Sequence, residues 1–193
     1  MNKPIFNTQS LSEISEIRGL FLGVYPIHTD SRGSFRRAFD FNEISTLLIS
    51  YGEPCFIAVN TNIAFNSSAG TWRGLHMQKE PFAESKIITV VTGSILDVIV
   101  DMRKESLTYL HSFLIELNAN KGNFVFIPKG CAHGYLTLEA NTNVMYTVDA
   151  PHNSENEIGF CIKDPGLGIT MDKEIVLMSE KDSSWAHGDF ENV

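Results

Sequence analysis

Two histidines lie in stretches whose neighbouring residues could take part in chemistry. His76 ends the run Arg-Gly-Leu-His and precedes Gln78 and Glu84, whereas His133 ends the run Pro-Lys-Gly-Cys-Ala-His. Transition metals prefer imidazole and carboxylate ligands, and a neutral amide in their place weakens a site. An imidazole can instead move protons near neutral pH. The residues therefore leave open an unusual iron or zinc centre or metal-free acid–base chemistry. A metal centre would be built from His76, Gln78, Glu84 and His133. The ordinary alternative for His133 is a structural histidine with satisfied hydrogen bonds.

The composition limits the classes of function. The chain has 193 residues, is 43% hydrophobic and carries a formal net charge of -8. This acidic balance argues against a general nucleic-acid binder, since no basic excess opposes a phosphate backbone. A small anionic substrate remains compatible, because a few arginines in a cleft can oppose the overall charge. The three cysteines are odd in number, the first residues are polar and no apolar run could span a bilayer. We therefore expect a soluble, cytoplasmic protein.

The elements that must position these residues are mostly strands. Short apolar or β-branched runs are separated by Gly, Asn or Pro clusters, which favours an all-β sandwich or barrel. The runs are 85–91, 95–101, 110–117, 123–127, 135–138 and 143–148. Only residues 42–51 have a helical pattern, with Asn42 as the expected cap. The tail after Asp172 is compatible with a short helix or a loop. No linker or repeat divides the chain, so we expect a single domain over residues 1–193.

Two segments resemble the paired motifs of the cupin superfamily. They are Gly70–Gln78 and Gly122–His133. This resemblance implies an all-β fold, the cupin double-stranded β-helix or jelly roll, with a few short helices. Two positions depart from the metal-binding cupin pattern: Gln78 stands where a second histidine is usual, and Thr137 stands where an asparagine is usual.

A narrower resemblance covers most of the chain, from about Gly19 to Asp182. The run Arg-Gly-Leu-His-Met-Gln that ends at Gln78 resembles the signature of the dTDP-4-dehydrorhamnose 3,5-epimerase family. Further family-like stretches keep the family's order, at 30–35, 95–103, 127–134 and 164–169. Several motifs in the same order are more specific than any one of them alone.

This resemblance implies epimerisation of a nucleotide-linked 4-keto-6-deoxyhexose at C3, C5 or both. The hydrogens at these carbons are α to a ketone, so a base can remove one to give an enolate. A cation or hydrogen-bond donor must stabilise the developing charge on the C4 oxygen. An acid then returns a proton from the opposite face and inverts the centre. No metal or redox cofactor is required in principle.

The resemblance also implies catalytic roles for particular residues. It places the base at His76, a carboxylate that orients this base at Asp182, and the ammonium group facing the ketone oxygen at Lys86. His133 matches a second active-site histidine. Ordinary alternatives exist for each: His76 as a core histidine, Lys86 as a solvated residue at a strand end, and Asp182 as a surface carboxylate.

Substrate-binding roles follow from the same resemblance. Arg73 and Arg32 match residues that hold the diphosphate, which guanidinium groups can bond bidentately. Gln78, Asn60 and Asn62 would line the sugar or nucleotide site. The alternative for Arg32 is a turn residue that pairs with a neighbouring aspartate.

The chain departs from the family where the proton donor, a tyrosine, is expected. Counting between Tyr146 and Gly159 puts His152 at that tyrosine's position, and Tyr146 then matches an upstream aromatic residue that we expect to pack. Three alternatives remain open. His152 supplies the proton, or one centre is left unchanged and water is the proton source, or the chain binds without catalysis.

The surroundings of the nucleotide are a second departure. Relatives often place an acidic residue after the Arg-Gly turn, whereas this chain has Arg36 and Arg37, which could suit another base or form a surface pair. The resemblance further implies a homodimer in which Arg32 could complete the partner's site. The rival functions are a metal-dependent cupin, such as a dioxygenase or a small-acid isomerase, and a non-catalytic module that binds a nucleotide sugar.

Overall fold

The structure, a computed structural model, describes residues 10–188 and residue 190. Within this part of the chain, two antiparallel sheets form the framework. The strands of the first sheet, in spatial order, are β1 (Ser10–Glu13), β2 (Phe21–Val24), β10 (Asn123–Ile127), β7 (Lys86–Thr92), β12 (Thr142–Val148) and β5 (Asn60–Asn66). The strands of the second sheet are β13 (Glu157–Gly159), β6 (Trp72–Gln78), β11 (Cys131–Thr137), β8 (Ser94–Asp101) and β9 (Ser112–Asn118).

Successive strands mostly alternate between the two sheets. From β5 to β8 every strand lies in the sheet opposite to its predecessor, and the same holds from β9 to β13. Strand neighbours are therefore rarely neighbours in sequence, as expected for a jelly roll. The predicted all-β cupin fold is confirmed. Three smaller elements complete it: a hairpin of β3 (His28–Asp30) and β4 (Gly33–Phe35), and the short helices α1 (Phe41–Ser50) and α2 (Glu180–Ser183).

The space between the sheets holds the main apolar core. One cluster of buried side chains includes Ile88 and Val90 of β7, Ile99 of β8, Leu117 of β9 and Val125 of β10, each of these at most 1% exposed. Burying each such side chain contributes about 1.5–3 kcal/mol. Ile88 and Val144 of this cluster also line the cavity between the sheets, so the core adjoins the cavity and helps to set the separation of the sheets there.

Helix α1 docks on the outer face of the first sheet through Ile44 and Leu48, which pack near Phe21 and Phe126. Its cap differs from the prediction. Asp40, and not Asn42, caps the helix, because an Asp40 carboxylate oxygen accepts the Glu43 N–H at 3.2 Å. The helix accordingly begins at Phe41, one residue before the predicted start.

The predicted strands differ from the observed ones mainly at their ends. The run 123–127 is β10 as predicted, whereas β11 begins at Cys131, before the predicted start at Tyr135. Strands β5 and β6 were not among the predicted runs. The polar tail holds α2, one of the two expected alternatives. No helix in the described ranges is long and apolar enough to cross a membrane.

Candidate active site

A cavity of about 820 Å³ opens between the two sheets. One wall is formed by β6, β11 and β13, and the facing wall by β5, β7 and β12. Its volume lies in the usual range for small-molecule sites. The walls combine apolar side chains with titratable groups from both sheets, so a ligand inside would be approached from two sides.

His76 of β6 is held by a buried carboxylate. Its Nε2 lies 2.6 Å from an Asp182 oxygen, and the other Asp182 oxygen accepts the Gly74 N–H at 3.2 Å. Ser179 caps α2 by accepting the Asp182 N–H at 3.0 Å, which fixes the position of the carboxylate. Burial acts to raise the pKa of Asp182, but the hydrogen bond and charge of His76 lower it overall. Asp182 is only 6% exposed, so the alternative of a surface carboxylate is wrong.

A second histidine–aspartate pair lies directly beside the first. His133 of β11 is the register partner of His76, and its Nε2 lies 2.7 Å from an oxygen of Asp97 on β8. Asp97 is fully buried, and its second oxygen has no hydrogen-bond partner among the residues described. Both imidazoles therefore line the same wall, each oriented by its own carboxylate.

Lys86 lies on β7, in the sheet that faces these histidines. Its Nζ is 3.0 Å from a Glu84 oxygen, and the two side chains are only 12% and 11% exposed. The other Glu84 oxygen accepts from the Gln78 amide at 2.9 Å. The alternative of a solvated strand-end lysine is wrong, and the ammonium group lies in the cavity wall opposite His76.

The predicted binding residues divide into two groups. Asn60, Asn62 and Arg73 line the cavity, and Asn66 orients Arg73 by accepting its Nε–H at 2.8 Å. Within residues 10–188, no carboxylate lies within ion-pair distance of Arg73, so its guanidinium charge is available to an anion. Gln78 also lines the cavity, but its amide is bonded to protein groups, and direct contact with a substrate stays a prediction.

Arg32 lies outside the cavity of its own chain. It is in the β3–β4 hairpin, its side chain is 88% exposed, and it pairs with Asp30 at 2.7 Å. This pairing is the turn arrangement that the sequence left as the alternative. Of the two neighbouring arginines, Arg36 donates to the backbone oxygen of Val90 and Arg37 pairs with Asp40 at 3.4 Å.

His152 lies at the rim of the cavity on the segment between β12 and β13. Its side chain is 66% exposed, and its Nε2 is 3.8 Å from Glu157. The other oxygen of Glu157 pairs with Lys181 at 2.8 Å. Burial acts to raise the pKa of Glu157, but the Lys181 hydrogen bond and the charge of His76 lower it overall.

Tyr146, which the sequence led us to expect as a packing residue, also lines the cavity. It belongs to β12, so it lies in the sheet facing His76, and its ring lines the cavity while also packing against the core. Burial raises the pKa of Tyr146, and the Glu84 carboxylate raises it further, so the phenol keeps its proton. The signal that could have revealed it is strand alternation, because Val144 and Val148 of the same strand also line the cavity.

The side chains of the alternative metal centre bond to other protein groups. Within the described part of the chain, no group of three or more His, Cys, Asp or Glu side chains is placed to share a metal ion. His76 and His133 are bonded to separate aspartates and Glu84 to Lys86. The geometry therefore gives no support to a centre built from His76, Gln78, Glu84 and His133.

Comparison with known proteins shows similarity over most of the chain. A protein from Sinorhizobium fredii named dTDP-4-dehydrorhamnose 3,5-epimerase is 35% identical over 95% of this chain and 89% of its own length. The crystal structure of dTDP-4-dehydrorhamnose 3,5-epimerase from Bacillus anthracis, with TDP and PPi bound, superposes with a TM-score of 0.84 at 33% identity. It covers 92% of this chain and 98% of its own.

A third relative bears on the facing residues. A 3'-monoepimerase from Streptomyces bikiniensis, solved with dTDP as a double mutant of a histidine and a tyrosine, has a TM-score of 0.80 at 25% identity. The match covers 91% of this chain and 85% of that one. In this chain 70 positions separate His76 from Tyr146, and 70 positions also separate the replaced histidine from the replaced tyrosine in that protein. The family model described as dTDP-4-dehydrorhamnose 3,5-epimerase matches residues 14–189. With that match over nearly the whole chain, the protein belongs to the dTDP-4-dehydrorhamnose 3,5-epimerase family.

Proposed function

We propose that this protein epimerises a nucleotide-linked 4-keto-6-deoxyhexose, a dTDP-4-dehydrorhamnose-type sugar, at C3, C5 or both. The observation that carries the proposal is the His76–Asp182 pair on one cavity wall with Lys86 on the facing wall. TDP in the Bacillus anthracis relative supports a thymidine nucleotide as the carrier.

The first chemical step is proton removal by His76. The C–H bond next to the ketone breaks, its proton goes to the imidazole and its electron pair forms an enolate. Asp182 stabilises the resulting imidazolium at 2.6 Å. The negative charge develops on the C4 oxygen, where the Lys86 ammonium stabilises it in a largely buried setting.

The second step returns a proton to the opposite face of the enolate. Tyr146 lies in the sheet that faces His76 and carries a protonated phenol, so its position and chemistry support it as the donor. His152, the donor favoured by the sequence, is mostly exposed at the cavity rim, and remains the competing candidate. Whether one or both carbons invert depends on which of them this donor can reach.

The diphosphate would be held by Arg73, which has no ion-pairing carboxylate among the described residues and lies near Asn60 and Asn62 in the same cavity. His133 would contact the sugar beside His76. Gln78 was expected among these ligands, but its hydrogen bonds within the protein support a different role. We also propose a reducing compartment such as the cytoplasm, because Cys55, Cys131 and Cys161 are unpaired.

We further propose a homodimer in which Arg32 enters the partner's cavity. The outer strand of the first sheet, β5, carries Ile63 and Phe65, which are 65% and 57% exposed. Apolar side chains at an unpaired strand edge favour association with a second copy. Phe65→Glu should convert a dimer to a monomer in sedimentation velocity. A chain that is monomeric before substitution would contradict this arrangement.

Solvent exchange tests the proposed activity directly. Incubation with dTDP-4-keto-6-deoxyglucose in heavy water should introduce deuterium at C5, C3 or both, detected by NMR and mass spectrometry. Tight binding without exchange would instead support the binding module. Activity that a chelator abolishes and one metal restores would support the metal-dependent cupin, and both results would contradict the proposal.

A further inference from the structure

The amide of Gln78 is almost completely enclosed by protein groups. The residue is 2% exposed and lies at the end of β6, next to β13. Its Nε2 is 3.0 Å from the Phe82 oxygen, 2.9 Å from a Glu84 carboxylate oxygen and 3.2 Å from the Pro151 oxygen. Its Oε1 accepts the Asn153 N–H at 2.5 Å. Three acceptors share two N–H groups, so the amide has no donor left for a ligand.

These bonds join two parts of the cavity that are distant in sequence. On one side, Gln78 bonds Glu84, whose other oxygen holds the Lys86 ammonium at 3.0 Å. On the other side, it bonds the backbone on both sides of His152, at Pro151 and Asn153. The Gln78 amide therefore holds both Glu84, the ion-pair partner of Lys86, and the segment that carries His152.

Removal of this amide would affect Lys86 through Glu84. The carboxylate is largely buried, and it would lose one of its two strong hydrogen bonds. An unsatisfied buried oxygen takes the nearest remaining donor. Here that donor is the Lys86 ammonium, which would be drawn further toward Glu84 and away from the cavity.

We infer that Gln78 is a positioning residue for the epimerisation, which sets the Lys86 ammonium through Glu84 and ties it to the segment carrying His152. This inference rests on the proposed function, because it assigns Lys86 to the enolate oxygen. A direct donor to the sugar would need a free N–H group, and the three acceptors around the Gln78 amide leave none. The residue acts on kcat through the ammonium and has little effect on KM.

A double-mutant cycle tests this assignment. Gln78→Met keeps the length and volume of the side chain but removes the amide, and Lys86→Met removes the charge. Alone, Gln78→Met should slow solvent exchange by about 10- to 100-fold with KM nearly unchanged, since small displacements of a catalytic group have effects of this size. In the Lys86→Met background, Gln78→Met should lower the exchange rate by less than about threefold, because the ammonium group through which Gln78 acts is already absent.

A second readout uses pH. Gln78→Glu puts a carboxylate against Glu84, and protonation of the new carboxyl group restores a donor. The deficit relative to wild type should therefore shrink as the pH falls from 8 to 6, by about tenfold. The charged groups facing this position are Glu84, Lys86, His152 and Glu157. They are present in both proteins, so the pH profile of the wild type is the reference against which the effect of the new carboxyl group is measured.

The matched control is Asn123→Leu, which removes another amide that bonds backbone on both sides but lies outside the cavity. Asn123 accepts the Asn118 N–H at 2.9 Å and donates to the Glu116 oxygen at 2.8 Å. This variant should lose stability but keep wild-type exchange. The inference would be overturned if Gln78→Met lowered the exchange rate equally with and without Lys86, or if the exchange deficit of Gln78→Glu did not depend on pH. Either result would leave the proposed function intact. No exchange by the wild-type protein would overturn both.

Discussion

His76 and His133 are direct register partners on β6 and β11, and each presents its Nε2 to a different buried aspartate. Asp182 comes from the short helix α2, whereas Asp97 comes from β8 in the middle of the second sheet. Each imidazole is thus bonded to an aspartate, but one aspartate belongs to a short helix and the other to a central strand. The support of His76 depends on a single turn of helix near the end of the described chain.

The first prediction concerns this pair. His76→Asn should lower deuterium incorporation by about 1,000-fold or more, and Asp182→Asn by about 100-fold, because the imidazolium loses its counter-charge. Mass spectrometry of the recovered sugar measures both rates. His111→Asn is the control, since His111 is exposed outside the cavity. Exchange that persists in His76→Asn would remove His76 as the base.

The second prediction separates the two candidate proton donors. Tyr146→Phe should keep deuterium exchange at the face of His76 but lower inversion by about 100-fold, since the enolate forms and lacks an opposite acid. His152→Asn should lower inversion less than about tenfold, because the imidazole is at the cavity rim. NMR distinguishes the inverted product from labelled starting sugar. The reverse pattern would establish His152 as the donor, as first expected from the sequence.

The third prediction concerns stability in acid. Burial acts to raise the pKa of Asp101, but hydrogen bonds from Arg103, Ser106 and Thr108 lower it overall. Asp182 also has a lowered pKa. A lowered folded-state pKa stabilises the protein above the ordinary value of 3.8, and this contribution is lost as the pH falls through the folded-state value. The free energy of unfolding should therefore decrease when the pH is lowered below about 4.

Asp101→Asn should reduce this acid dependence and lower stability at pH 7 by about 2–3 kcal/mol, because charged hydrogen bonds of a buried carboxylate are lost. Urea titrations at pH 7 and pH 3.5 measure both effects. Glu116→Gln, which breaks the exposed pair with Lys121, should change stability by less than about 1 kcal/mol. Equal effects of the two substitutions would show that burial of Asp101 is not the cause.

The fourth prediction tests whether Arg32 acts across the dimer. His76→Asn and Arg32→Ala are each expected to be poorly active alone. In a mixed dimer, the subunit with Arg32→Ala keeps its own His76 and receives Arg32 from the other subunit, so exchange should reappear on mixing. If Arg32 served only its own chain, mixing would restore nothing. Each variant mixed with itself provides the baseline.

The sequence predicted the fold where apolar residues repeat regularly, and failed where chemistry interrupts the repeat. Phe124 to Ile127 form an apolar run, and β10 was predicted correctly. The first half of β11 was missed because it contains His133, which is polar and lines the site, and Gly134, where a Cβ would meet the Arg73 backbone oxygen and the Trp72 ring of β6. The cap was misplaced because Asn42 and Asp40 are both suitable residues, and only the fold determines which carboxylate or amide meets an N–H group.

The sequence predicted which residues line the cavity better than it predicted the hydrogen bonds between them. The motif around His76 and the position of Lys86 located both sides of the cavity. Tyr146 was expected only to pack, because counting along an irregular segment favoured His152 as the donor, although the alternation within β12 indicates that Tyr146 faces the cavity. The bonds of Gln78 could not be foreseen, because its partners Glu84, Pro151 and Asn153 meet only once the sheets have formed.

The placement of reactive groups on opposing sheets has a consequence for how substrate range could change. Because His76 belongs to one sheet and Lys86 and Tyr146 to the other, the thickness of the interior layer that includes Val90 and Ile99 sets the gap that the sugar ring must fit. Enlarging or shrinking those interior residues would widen or narrow the slot without altering any residue that touches the ligand. Laboratory evolution toward bulkier hexoses should therefore yield substitutions in this layer as well as in the cavity wall.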